Sequence, residues 1–124
     1  MGIFDSLMGN SSEVNLEELK EEWKELLADS EVIEKGYRIL RDTFIFTNKR
    51  LILIDKQGMM GGKQEYLSIP YKSINRFSIE TAGTFDLEAE LKIWLSGNPM
   101  PIQKNFNRST NVYELQRVLA NYVL

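Results

Sequence analysis

Five cations, Lys35, Arg38, Arg41, Lys49 and Arg50, carry the clearest binding chemistry in this chain. They lie in residues 35–56, which hold six bases and two acids, a local charge of +4. A surface of that kind could hold an anionic ligand or an anionic membrane. The preceding residues 1–34 hold ten acids and two bases, a local −8 within a total of −3. Such a run reads as the solvated face of a helix. It can also be read as a segment that docks on a basic surface, its own or a neighbour's.

Catalytic chemistry has little to work with. The chain contains no histidine and no cysteine. It therefore lacks the commonest general base, disulfides and thiolate metal sites. Carboxylates are plentiful, but acid–base catalysis needs a converging pair in a pocket. Glu88 and Glu90 share one strand face, where neighbouring Lys92 makes an ion pair the plainer reading. Gly58-Met59-Met60-Gly61-Gly62-Lys63 is not a phosphate loop: no Ser or Thr follows the lysine, and no helix follows to receive a phosphate. It reads as a hairpin connection whose two methionines could touch a partner. No catalytic residue, cofactor or metal is expected. The acidic total argues against nucleic acid.

The elements that must position these groups are short. At 124 residues the chain makes one domain, spanning 15–124 after an N-terminal segment 1–14. No apolar run approaches the roughly 20 residues of a membrane-spanning helix. The start lacks a basic region and a long apolar run, so it does not read as a secretory signal. Met1-Gly2-Ile3-Phe4-Asp5-Ser6 formally matches a myristoylation pattern. The plainer reading is a short apolar segment (Ile3, Phe4, Leu7, Met8) on a flexible linker. It has no Lys or Arg to hold anionic lipid.

Asn15 with Glu18 forms a capping box, and Leu16, Leu19, Trp23, Leu26 and Leu27 recur at helical spacing. This predicts a helix over 16–28. From Ile33 to Phe106 the pattern is β, with seven strands near 33–40, 43–47, 51–55, 65–70, 74–81, 85–96 and 100–106. Leu87, Ala89, Leu91, Ile93 and Leu95 alternate with polar residues, as in a half-buried antiparallel strand. Leu51-Ile52-Leu53-Ile54 does not alternate, so both of its faces need cover, and the N-terminal helix is the obvious candidate. Asn111 and Glu114 open a second helix over 111–124, with Val112, Leu115, Val118, Leu119, Tyr122 and Val123 as its apolar stripe.

Seven short strands and a closing helix match the pleckstrin-homology superfold. The segments Phe46–Asp55, Gly61–Lys63, Tyr66–Tyr71, Phe77–Gly83 and Leu87–Trp94 resemble the bacterial pleckstrin-homology-like domain family. The resemblance runs from about Asn15 to Leu124. It implies a mostly β fold: a barrel of two packed antiparallel sheets, capped by the C-terminal helix, with an extra N-terminal helix. It also implies assembly into cyclic homo-oligomers, and it implies no enzyme activity. Eukaryotic relatives often bind phosphoinositides through basic residues flanking the first strand pair. Here Arg38-Ile39-Leu40-Arg41 has the wrong spacing, and strand alternation splits the cations between two faces.

The leading expectation is therefore a cytoplasmic, self-associating module for protein interaction, its further partner unspecified. The interface candidates are Leu51, Ile52, Leu53, Ile54 and Trp94, with the helix stripe Leu16, Leu19, Trp23 and Leu26. Trp94 earns its place by lying on the polar face of its strand. The alternative is a reader of anionic lipid surfaces through Lys35, Arg38, Arg41, Lys49 and Arg50.

Overall fold

The computed structural model describes residues 15–39, 42–56, 62–81, 89–106 and 111–124, of Ile39 the backbone alone. The expected N-terminal segment 1–14, Arg41, residues 57–61 of the glycine-rich connection and residues 85–88 of the sixth strand lie outside the described residues. The element order is α1 (Leu16–Trp23), a 3-10 turn (Lys24–Leu26), β1 (Ile33–Ile39), β2 (Asp42–Thr47), β3 (Arg50–Lys56) and β4 (Gln64–Pro70). A second 3-10 turn (Tyr71–Ser73) leads to β5 (Ile74–Thr81), β6 (Ala89–Leu95), β7 (Ile102–Phe106) and α2 (Val112–Val123).

Both helices start where their caps place them. Asn15 Oδ1 accepts from the amides of Glu17 and Glu18 at 2.9 and 3.2 Å, and Asn111 Oδ1 accepts from Glu114 N at 3.1 Å. The first helix is shorter than the expected 16–28. It tightens to a 3-10 turn after Trp23, and Leu27 is extended. The reason is tertiary: the Arg50 guanidinium takes the Leu26 carbonyl at 2.7 Å, satisfying an orphan acceptor and ending the helix early. Strand β7 begins at Ile102, later than expected. The preceding residues turn about Gly97, whose φ of +80° suits glycine, and Met100 N bonds Asn98 Oδ1.

The strands form two antiparallel sheets, β1-β2-β3-β4 and β5-β6-β7. Among the described residues no strand pair joins them, so the expected closed barrel is instead an open sandwich. Lateral closure depends on pairing between distant segments, which strand periodicity does not encode. The C-terminal helix caps the sandwich. Its Leu115, Val118 and Leu119 join Phe44, Phe46, Leu51, Leu53, Ile69, Leu91, Ile93 and Phe106 in the main core.

The first sheet is apolar on both sides. Register pairs Phe46 with Leu51 and Phe44 with Leu53, and these point to the main core. Ile45 pairs with Ile52, and together with Ile54, Ile33 and Leu19 they form a second, smaller core under α1. Strand β2 is as fully buried as β3 over Thr43–Thr47, although its sequence reads as half polar. The second core closes tightly because β1 has a glycine. A Cβ on Gly36 would come within 1.9 Å of Leu19 Cδ1, and Leu19 is fully buried with nowhere to go.

Leu19→Ala should lower unfolding free energy by about 2–5 kcal/mol in urea titration. Gly36→Ala alone should cost about 1–3 kcal/mol. In the double variant the two costs should fall short of additive, since the added methyl enters the space the leucine left. Full additivity would exclude this contact as the cause.

Candidate functional site

The turn Thr47-Asn48-Lys49-Arg50 joins β2 to β3, and its polar groups reach far beyond a hairpin's own needs. Thr47 Oγ1 accepts from the amides of Lys49 and Arg50 at 3.0 and 2.9 Å. It donates to Glu31 Oε2 at 2.6 Å. Asn48 receives Val32 N at 2.7 Å and donates to the Ser30 carbonyl at 3.2 Å. Ser30 sits at φ 67°, and the Asn48 bond holds that left-handed turn residue in place. Tyr71 donates to the Thr47 carbonyl at 2.6 Å, and burial pushes its phenol well above the usual range.

Arg50 is the hub. Its Nε and one terminal nitrogen grip the two Glu31 oxygens at 2.8 and 2.9 Å, a bidentate pair. The other terminal nitrogen donates to Ser68 Oγ at 2.6 Å. The Glu31 side chain has no exposed surface. Its remaining lone pairs are met by the Ala28 amide at 2.8 Å and by Thr47. The Arg50 hydrogen bonds outweigh the penalty of burial and hold the Glu31 carboxyl down at about 2. One side chain thus ties the end of α1, the entry to β1, the β2–β3 turn and β4.

Beside this pair lies an open groove of about 460 Å³. Leu26, Leu27, Ala28 and Pro70 give it aliphatic walls; Glu31, Arg50 and Ser68 line its polar side, and Lys49 stands at the rim. The size falls within the roughly 300–1,000 Å³ typical of ligand clefts. Its buried charges are already paired, so it offers no free acid, base or nucleophile.

A second polar cluster joins the two sheets. Lys104 of β7 reaches Asp42 at 3.1 Å and Asp55 at 3.2 Å, at the opposite end of β2 and β3. Burial, the largest influence, pushes the Asp42 carboxyl up despite the lysine. Against α2, Phe46, Tyr122 and Tyr71 stack in series, with ring centroids 5.3 and 4.9 Å apart. Tyr122 donates to Glu34, and Tyr37 donates to Glu114 at 3.2 Å. Burial raises the Tyr122 phenol above its usual range. These groups fasten β1 to the C-terminal helix.

The four described cations of the set do not converge. Lys35 pairs with Glu114 at 3.8 Å, Arg38 with Glu22 at 3.5 Å, and Arg50 with Glu31. Lys49 is exposed, and Arg41 lies outside the described residues. Leu51, Ile52, Leu53 and Ile54 are at most 3% exposed, divided between the two cores. Leu19 is buried, while Leu16, Trp23 and Leu26 are half-buried against the same inner cluster. These residues meet as helix and sheet of one chain. Trp94 is half-buried on the outer face of the second sheet, with the Arg76 guanidinium 4.3 Å above its ring. Glu31, the central acid, gave no signal in the sequence, where it is one of ten carboxylates in an acidic run.

Two packed antiparallel sheets capped by a C-terminal helix, with an apolar core and no catalytic constellation among the described residues, define a pleckstrin-homology fold. The family model for the bacterial PH domain matches residues 2–123. The chain belongs to that family. It is 50% identical to the uncharacterized protein YjqA of Bacillus subtilis (strain 168), over 97% of each chain. The crystal structure of a pleckstrin homology domain from Shewanella amazonensis SB2B superposes with a TM-score of 0.86. It shares 52% identity over 98% of each chain. A pleckstrin-homology-domain protein from Shewanella loihica PV-4 gives a TM-score of 0.80 at 52% identity, over 94% of this chain and 99% of that one. Among the described residues no helix is long and apolar enough to cross a membrane.

The depressed Glu31 carboxyl has a defined pH consequence. Its ordinary value is 4.5, and in the fold it is about 2. The stability it contributes is present above 4.5 and is lost as pH falls towards 2. Glu31→Gln should therefore flatten the fall in stability across that window, measured by urea unfolding at stepped pH. Equal pH slopes for both proteins would contradict the assignment. Arg50→Met, which leaves the acid buried and alone, should cost about 3–5 kcal/mol at neutral pH.

Proposed function

We propose that this chain is a non-enzymatic interaction module of the cytoplasm that self-assembles into a homo-oligomer and presents its remaining surface to another protein. The observation that carries this reading is the open sandwich. Two sheets that are not joined leave outer strand edges unpaired among the described residues. An unpaired edge is a row of backbone donors and acceptors available to another chain. Exposed apolar side chains accompany two of these edges, Tyr66 on β4 at 43% and Met100 shortly before β7 at 71%. The polar clusters do not compete for the role. Glu31–Arg50 and Lys104 with its two aspartates are spent on holding elements together. A single heterologous contact repeated around an axis closes into a ring, which is the assembly we favour.

Light scattering on the eluting protein at micromolar concentration should return a multiple of the 14.4 kDa chain mass. A stable monomer would sink the assembly.

A further inference from the structure

We propose that the outer edge of β4, together with the groove beside it, takes an extended peptide segment with alternating apolar residues and an acidic residue near one end. The proposal rests on the interaction-module reading and names the chemistry of the partner. Three observations combine at this place. First, β4 pairs with β3 on one side, and among the described residues no strand pairs with its other side. Gln64, Glu65, Tyr66, Ser68 and Pro70 are all exposed, so the edge is open to solvent along most of its length.

Second, the groove borders that edge directly. Ser68 and Pro70 of β4 form part of its lining, opposite Leu26, Leu27 and Ala28. In β4, Ser68 and Pro70 stand on the α1 side of the sheet, because their register partners are Ile52 and Arg50 while Leu51 and Leu53 face the main core. A strand added to β4 places every second side chain on that same side. Those side chains would enter the aliphatic groove while the backbone hydrogen-bonds to the edge, which is the division of labour in strand addition.

Third, the charge at the rim is one-sided. Glu31 is neutralised within the groove by Arg50. Lys49 at the rim has no ion pair among the described residues and is exposed. The groove therefore presents an unspent positive charge above aliphatic walls, which complements an acidic residue in the added segment. A globular face would not follow a strand edge into a channel of this size; a linear segment does.

The test uses the full chain and a displayed library of random 12-residue peptides, followed by fluorescence anisotropy on the peptides selected. Selection should enrich sequences that alternate apolar residues and carry Asp or Glu near one end. Amides of Gln64–Ile69 that exchange quickly in the free protein should become protected when a selected peptide is added. Lys49→Glu, at an exposed side chain outside the hydrogen-bonded turn network, should leave the fold intact and weaken these peptides about five- to tenfold. Failure to enrich such peptides would overturn the proposal. So would equal binding to the Lys49→Glu protein, or protection elsewhere than β4. Light scattering on the same samples separates the two readings. An oligomer that binds no peptide leaves self-assembly standing and removes this site.

Discussion

The buried Glu31 and the half-buried Arg50 form an ion pair that four elements share. The carboxylate comes from the connector after α1, and the guanidinium from the first residue of β3. Each would be costly to bury alone. Together, with Thr47, the Ala28 amide, the Leu26 carbonyl and Ser68 filling the remaining hydrogen-bonding positions, they form a network without an unmet member. A network in that condition defines geometry sharply, because any other arrangement strands a charge. It sets where α1 ends, how the chain enters β1 and where the groove opens.

The apolar half of the design follows from the same placement. With the connector fixed, α1 lies across the outer face of the first sheet, and Leu19 settles onto Gly36. That covers Ile45, Ile52 and Ile54, which would otherwise be an exposed apolar patch. The other side of the same strands makes the main core with the second sheet and α2. Lys104 and its two aspartates brace the far end, where among the described residues no strand pair joins the two sheets.

Much of this was legible from local pattern. The capping residues Asn15 and Asn111 mark both helix starts, and the alternation through Ala89, Leu91 and Ile93 marks β6 and its buried face. The unbroken run Leu51–Ile54 announces a strand covered twice and points to the first helix as its cover. The resemblance to bacterial pleckstrin-homology-like domains, carried by Phe46–Asp55 and the later strands, holds across nearly the whole chain. What escaped the sequence is what depends on distant partners. Arg50 and Glu31 are 19 residues apart, and nothing in either neighbourhood marks them as a pair. Lys35, Arg38 and Arg50 look like part of a ligand surface until the folded chain assigns them to Glu114, Glu22 and Glu31. Sheet closure is equally non-local, which is why the pattern suggests a barrel where, among the described residues, the sandwich stays open.

The division of the first sheet between two cores makes β2 and β3 a party wall. Seven strands and α2 enclose the larger room unaided; α1 and its connector build a lean-to on the outside. A lean-to of one short helix over four buried isoleucines would ordinarily fray well before the main structure melts. Here its attachment is cemented into the party wall itself, since Arg50 belongs to β3. Loosening the annex means unpairing a charge inside the shared wall, so annex and house stand or fall as one cooperative unit.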